Sequence, residues 1–378
     1  MGWTDSFDMG FTMDNFDWID NMSFNYNESL YGQDNGLDDD TYIDDTCETY
    51  STEPFKKVFL PAFYSTIFAA GILGNAMTIA VFLRNRQTMA MTDTLILHLS
   101  IADILLALTL PFWAVEAVKG WIFEAFACKI FGAMLNINFN SGIFLLSGIS
   151  VQRYLSIVHA VQMYNKPRSM VVHVCCLVVW VFCHILAIPD FIFLEKYQLN
   201  GTWQCQYKFD RETGKNWIVG LRCLHQVITF LIPLSVILYC YFMIIITLRG
   251  SHNVQRNKEV RAMKVIVIVV AAFLFCWVPY NVVIFIDTLQ RMGFLAPGCA
   301  LGSSLDIAIW VTSSLGYFHC CLNPFLYAFV GVKFRRNLLQ IFHDIGCITH
   351  KTVKKYARTT NRETTSQCHS GDTTNSGF

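Results

Sequence analysis

Residues 130–151 read IFGAMLNINFNSGIFLLSGISV and run directly into Gln152-Arg153-Tyr154. No Asp, Glu, Lys or Arg interrupts the stretch. As a helix it would rise about 33 Å, enough to cross a hydrocarbon layer about 30 Å thick. The arginine that follows stands where such a helix would meet water. Its preceding residue is a neutral glutamine, where an acidic neighbour would ordinarily hold it.

The pattern repeats. Val58–Leu83 and Val265–Ile286 are equally long and free of charge, and Thr94–Val115, Met170–Leu194, Trp217–Leu248 and Ile307–Val332 carry few ionisable groups. The expected fold is therefore an all-α membrane protein, a bundle of seven transmembrane helices followed by a short amphipathic eighth helix at 333–345. Buried helices of a soluble protein would show amphipathic stripes, and a β-barrel would need short alternating segments.

Charge orients the chain. Residues 1–53 hold fourteen acids and no Lys or Arg, within an expected disordered extracellular segment at 1–55. Basic residues gather between alternate spans: Arg84 and Arg86, Lys166 and Arg168, Arg249 to Lys264, and Lys333, Arg335 and Arg336. The positive-inside bias makes these loops cytoplasmic, placing the N-terminus outside, the bundle at 56–332 and a cytoplasmic tail at 346–378. The glycosylation sequons at Asn21, Asn27 and Asn200 all fall on the predicted outer side.

Of the fourteen cysteines, Cys47, Cys128, Cys205 and Cys299 take extracellular positions, where disulfides form. Three pairings of these four are open. Cys128–Cys205 with Cys47–Cys299 is the pairing expected, tying the third span to the loop after the fourth and the N-terminal segment to the seventh. No cysteine spacing suggests zinc. Neither His-Glu-x-x-His nor Gly-x-Ser-x-Gly occurs, and no enzyme activity, cofactor or nucleic-acid partner is expected.

Polar groups inside a span are costly and tend to mark function. Asp103 is the acid in the middle of the second span, with amides at comparable depth on Asn75, Asn138 and Asn323. One reading is a sodium site on Asp103, Asn138 and Asn323; the other is a hydrogen-bond network with water. Prolines at Pro111, Pro189, Pro233, Pro279 and Pro324 each remove a helix hydrogen bond.

Asn75, Asp103, Arg153, Trp180, Pro233, Cys276-Trp277-Val278-Pro279 and Asn323-Pro324-Phe325-Leu326-Tyr327 together resemble the signature of rhodopsin-like G-protein-coupled receptors. Thr109-Leu110-Pro111-Phe112-Trp113, the acidic tyrosine-bearing N-terminus and the four outer cysteines are similar to the chemokine receptors. Pro189-Asp190-Phe191-Ile192-Phe193-Leu194 and the approach to Asn323 look most like the type 3 receptors of the CXC branch.

The resemblance implies a basic CXC chemokine as ligand, an inhibitory heterotrimeric G protein, receptor kinases and arrestin as partners, chemotaxis as outcome, and the plasma membrane as location. Tyr42, set among acids, is the candidate for sulfation. Tyr64, Trp113, Glu116, Asp190, Asp287 and Asp306 would line the ligand site. Trp277 would lie beneath it, and Arg153, Tyr154, Tyr241, Asn323 and Tyr327 would carry the change inward. Gln152 departs from the pattern, because it cannot exchange a proton as an aspartate would. Either Arg153 is freer and basal activity rises, or its geometry is lost and coupling weakens, as in decoy receptors that internalise chemokine without signalling. Glu259 is the candidate to hold Arg153 instead.

Overall fold

The computed structural model describes residues 53–84, 86–159, 168–199, 201–209, 214–249, 255–295, 299–330 and 332–351. Seven helical spans are present among them, as expected: Lys56–Arg84, Met91–Lys119, Ala125–Val158, Met170–Phe193, Gly214–Arg249, Ile266–Met292 and Ser304–Ala328. The first four are built from α1 (Glu53–Arg84), α2 (Met91–Lys119), α3 (Ala125–Val158) and the pair α4 (Arg168–Leu186) and α5 (Ile188–Phe193). The fifth comprises α6 (Gly214–Leu224), a π-helical stretch His225–Leu231 and α7 (Ile232–Arg249). The last two belong to α8 (Gln255–Met292) and α9 (Cys299–Val330), and α10 (Val332–Asp344) follows. Tyr42, Cys47, Asn21, Asn27 and Asn200, and the side chains of Glu259 and Cys299, lie outside what is described.

The bundle is arranged for lipid. Val171, Val174, Leu177, Val178 and Val181 on α4 are exposed, whereas Asn75, Asp103, Asn138, Asn140 and Asn323 are buried. In water that distribution would be inverted; in a bilayer it puts hydrocarbon outside and satisfies polar groups within. α3 is the central helix, with 61% of its most apolar window buried against 22% for the fourth and fifth spans.

Prolines shape the spans as their chemistry requires. At Pro189 the fourth span breaks, α4 stopping at Leu186 and α5 restarting at Ile188. The π-helical turn immediately precedes Pro233, absorbing the register that its missing N–H disturbs. Pro324 cannot donate to the carbonyl of Cys320, and Asn75 Nδ2 donates there instead at 2.8 Å. That bond requires close approach: a Cβ on Gly74 would lie 3.0 Å from the Pro324 ring.

One element departs from the all-α expectation. β1 (Leu194–Leu199) and β2 (Thr202–Tyr207) form an antiparallel hairpin, with Leu194 opposite Tyr207 and Leu199 opposite Thr202. The two residues between the strands are Asn200-Gly201, a favoured hairpin pair. The alternation of Thr202-Trp203-Gln204-Cys205-Gln206-Tyr207 was legible but lay inside a loop too short to read as a sheet. Cys205 bonds to Cys128 on α3, as expected. The Trp121 N–H donates to the Trp203 carbonyl at 2.6 Å, Lys196 Nζ to the Phe123 carbonyl at 2.8 Å, and the Cys205 N–H to Glu116 Oε1 at 2.9 Å.

The chain enters this arrangement through Gly120, whose φ of 74° and ψ of −177° fall in a region that only glycine occupies readily. A Cβ there would also sit 2.5 Å from the Trp203 carbonyl oxygen. Gly120→Ala is therefore expected to destabilise the receptor by about 1–3 kcal/mol. A thermal unfolding midpoint equal to the parent's would refute this.

At the end of the bundle away from the hairpin α10 lies against it through Phe334, whose ring is 6.2 Å from Phe82 and 6.1 Å from Tyr327. Arg84 at the end of α1 pairs with Asp344 at the end of α10. The neighbouring His343 and this arginine hold the Asp344 carboxyl below the usual carboxylate range.

Candidate functional site

The half of the bundle that carries the hairpin contains a cavity of about 270 Å³ between α1, α2, α9 and the hairpin, lined by Lys56, Tyr64, Trp113, Glu116, Trp310 and Tyr317 among others. Three of the ligand residues expected from the sequence, Tyr64, Trp113 and Glu116, thus share one cavity. Lys56 lies over the Trp310 ring, 4.7 Å from its centroid. Glu116 on this wall already accepts the Cys205 N–H, whereas the Trp113 indole N–H is buried without a hydrogen-bond partner.

The other acids divide sharply. Asp190 is 1% exposed and sits on α5; its Oδ2 accepts Asn136 Nδ2 at 2.7 Å and its Oδ1 accepts the Tyr207 hydroxyl. Asn140 extends the chain by donating to Asn136 Oδ1 at 2.7 Å. Tyr207 leaves 39% of its surface exposed, but its hydroxyl is turned inward onto Asp190. Burial and that carboxylate push the Tyr207 phenol well above its usual range. Asp287 is 2% exposed between two cations, Arg222 on α6 and Arg291 one turn along α8, the latter at 2.9 Å. Asp306 alone among the four is exposed. The Arg291 pairing was readable as an i,i+4 spacing; the Arg222 and Tyr207 pairings had no local signal.

Beneath the cavity the aromatic groups form a column. Tyr64 meets Tyr317 at 6.0 Å, Tyr317 meets Trp277 at 6.1 Å, and Trp277 packs edge-on against Phe139 at 4.4 Å. Gly316 makes room for Trp277, since a Cβ there would fall 2.7 Å from the indole ring. The indole N–H donates to His319 Nδ1 at 3.2 Å. His319 in turn stands 3.4 Å, from its Nε2, from Asp103 Oδ1, and Asn323 Nδ2 donates to Asp103 Oδ2 at 2.9 Å. Asp103 and Asn323 are thus brought together; Asn138 is buried with neither amide atom hydrogen-bonded. In the sequence His319 belongs to the run leading to Asn323 that carries the resemblance and has no role assigned there, although it precedes Asn323 by four residues and so shares its helix face.

At the opposite end of the bundle the Thr92 hydroxyl donates to Gln152 Oε1 at 3.4 Å. Asp93, the next residue, accepts the Ala90 N–H at the start of α2, and its charge reaches the Arg153 guanidinium. Arg153 Nε is buried without a hydrogen bond. The Tyr241 hydroxyl is buried beside Ser150 and Arg153 with no well-formed bond, and the Tyr327 hydroxyl is likewise unbonded. Tyr154 instead turns its hydroxyl to His159 Nε2 at 3.0 Å. Asp93 lies just before the apolar stretch that begins at Thr94, and nothing local in the sequence marks it for this role.

Residues 74–327 match the family model described as 7 transmembrane receptor (rhodopsin family). The chain is 43% identical to C-X-C chemokine receptor type 3 of Bos taurus over 351 residues, covering 91% of each. It is 45% identical to the type 3 receptor of Homo sapiens over 312 residues, covering 82% of this chain and 83% of that one. Against C-X-C chemokine receptor type 4 of Xenopus tropicalis the identity is 37%, over 82% of this chain and 86% of the relative. With the seven-span bundle, the hairpin disulfide and the buried Asp103–Asn323 pair, these matches show a multi-pass membrane receptor and not an enzyme: the chain belongs to the rhodopsin family of seven-transmembrane receptors, among the chemokine receptors, and is most like the CXC type 3 members.

Proposed function

We propose that this chain is a plasma-membrane receptor for basic CXC chemokines, with its N-terminus outside, that couples ligand binding to inhibitory G proteins and then to receptor kinases and arrestin. The observation that supports it best is the continuous packed column from the outer cavity through Tyr317 and Trp277 to the buried Asp103 pair. A ligand that displaces Trp277 must move His319 or Phe139 with it, because the interior has no slack at Gly316. The relatives' names point to CXC chemokines as the ligand class. The fourteen acids of residues 1–53 suit a cationic protein and would speed its capture, more so with Tyr42 sulfated. Serines and threonines between Thr349 and Ser376 supply phosphorylation sites for arrestin.

A second reading is favoured by Gln152: a decoy receptor that binds and internalises chemokine with little G-protein signalling. The glutamine is turned to Thr92 and supplies no charge to Arg153. Measuring suppression of cyclic AMP alongside uptake of labelled chemokine separates the two, with Gln152→Asp as comparison. Under the signalling reading the unmodified receptor suppresses strongly, and the aspartate lowers its basal activity. A charge-assisted bond of about 1.5–3 kcal/mol corresponds to at least about a tenfold change in the resting-to-active ratio. Uptake without suppression, with suppression restored by Gln152→Asp, would establish the decoy instead.

A further inference from the structure

The cavity between α1, α2, α9 and the hairpin has a charge balance opposite to the one a basic ligand needs. Lys56 and Lys57 from the first turns of α1 and Lys119 from the end of α2 line it, against one acid, Glu116. That acid is already engaged, its Oε1 accepting the Cys205 N–H at 2.9 Å. Lys56 is half-buried over the Trp310 ring, 4.7 Å from its centroid, and Lys57 and Lys119 are exposed. The Trp113 indole N–H is buried without a partner. An indole nitrogen can only donate, and a buried donor left unpaired costs about 1–3 kcal/mol. A group that carries negative charge and accepts hydrogen bonds suits this lining; a further cation does not.

Size narrows the occupant. The volume of about 270 Å³ falls below the roughly 300–1,000 Å³ of pockets that enclose a whole small molecule. It fits one or two side chains delivered by a peptide. The chain itself supplies such a peptide, because residues 1–53 hold fourteen acids and no Lys or Arg and run directly into α1 at Glu53. Asp44, Asp45 and Glu48 precede that residue closely. At no more than about 3.6 Å per residue they reach roughly 18–32 Å from the start of α1, farther than a helix diameter of about 10–12 Å. Covalent attachment gives them an effective concentration on the order of millimolar, so weak carboxylate–ammonium contacts suffice. The pairing expected between Cys47 and Cys299 would hold the same acids between the first residues of α1 and α9, two walls of the cavity.

We propose that in the ligand-free receptor the acidic segment ending at Glu53 docks into this cavity, with carboxylates of Asp44, Asp45 and Glu48 facing Lys56 and Lys119 and accepting from Trp113. A cationic ligand that pairs with those acids draws them out, so that capture of the ligand and uncovering of the cavity are one exchange. This consequence rests on the chemokine reading; the docking itself does not.

The test uses the purified full-length receptor in lipid nanodiscs without ligand. A carbodiimide joins carboxyl groups to amines in direct contact, and the products are mapped by mass spectrometry. Lys119 is decisive, because it comes from a different helix than the one the segment enters. Amide links from Lys119 to Asp44, Asp45 or Glu48 within one chain are expected, falling at least about fivefold in 1 M salt. Neutralising all three acids, as Asp44→Asn, Asp45→Asn and Glu48→Gln together, should raise reductive methylation of Lys56 and Lys119 about threefold, the release expected of a tethered group that occupies the cavity most of the time. Lys351, beyond α10 at the other end of the bundle, should be unaffected. Absence of the Lys119 links, or unchanged methylation in the triple variant, overturns the proposal. Links found only between isotopically distinct copies overturn it in favour of a second receptor as occupant. Equal protection of the lysines by acetate in the parent and the triple variant overturns it in favour of a free anion.

Discussion

Asp287→Asn should be among the most damaging single substitutions in the hairpin-bearing half of the receptor, lowering its stability by about 3 kcal/mol. Asp287 is 2% exposed and carries two guanidinium groups, those of Arg222 and Arg291. Asparagine preserves the shape and one acceptor but removes the charge. Two cations whose side chains are only 24% and 21% exposed would then face each other across a neutral amide. Their partial access to solvent keeps the cost at the low end of that for stranding a buried charge. Arg222→Gln should cost less, because Asp287 keeps Arg291, and combining the two changes should cost less than their sum. Thermal unfolding of the three variants measures the coupling. If Asp287 were chiefly a ligand contact, Asp287→Asn would leave stability within about 0.5 kcal/mol of the parent while weakening binding.

Asp190→Ala should have a comparable effect by a different route. It strands the Tyr207 hydroxyl and the Asn136 amide, at about 1–3 kcal/mol for each group left unpaired. Since Tyr207 ends β2, two residues beyond the disulfide at Cys205, the hairpin loses its inner anchor. The expected result is a fall in unfolding temperature together with a similar loss of affinity for every ligand that touches the hairpin. A contact residue would instead discriminate between ligands and leave the unfolding temperature alone.

The same pair predicts an alkaline limit. The Tyr207 phenol is raised in the folded state above its unfolded value of about 10. The folded protein therefore holds that proton more tightly. The contribution is complete below about pH 10 and is lost as the pH climbs beyond it. Tyr207→Phe should remove this part of the alkaline destabilisation. An unchanged slope in that variant would show that the Tyr207–Asp190 bond does not supply it.

Much of this molecule was readable along the chain. Seven spans follow from uninterrupted apolar length, because a bilayer tests each segment by itself. The break at Pro189 is also local, since it follows from a missing N–H. Gln152 was recognisable as a departure, being adjacent to Arg153.

What a charge does inside the bundle was not readable in that way. Glu116, Asp190 and Asp287 look alike as acids near helix ends, yet one holds a hairpin N–H 89 residues away, one answers a phenol and an amide from two other elements, and one joins two arginines. Nothing local to His319 marks it as the neighbour of Asp103, which comes from another helix. The sequence by itself determined the seven crossings, the receptor family and the neutral residue before Arg153. The tertiary structure decided which acids are committed to the fold and which groups face Asp103 and Arg153. The physical reason is that in a low-dielectric interior a charge is defined by its partners, and those partners come from segments far apart in the chain.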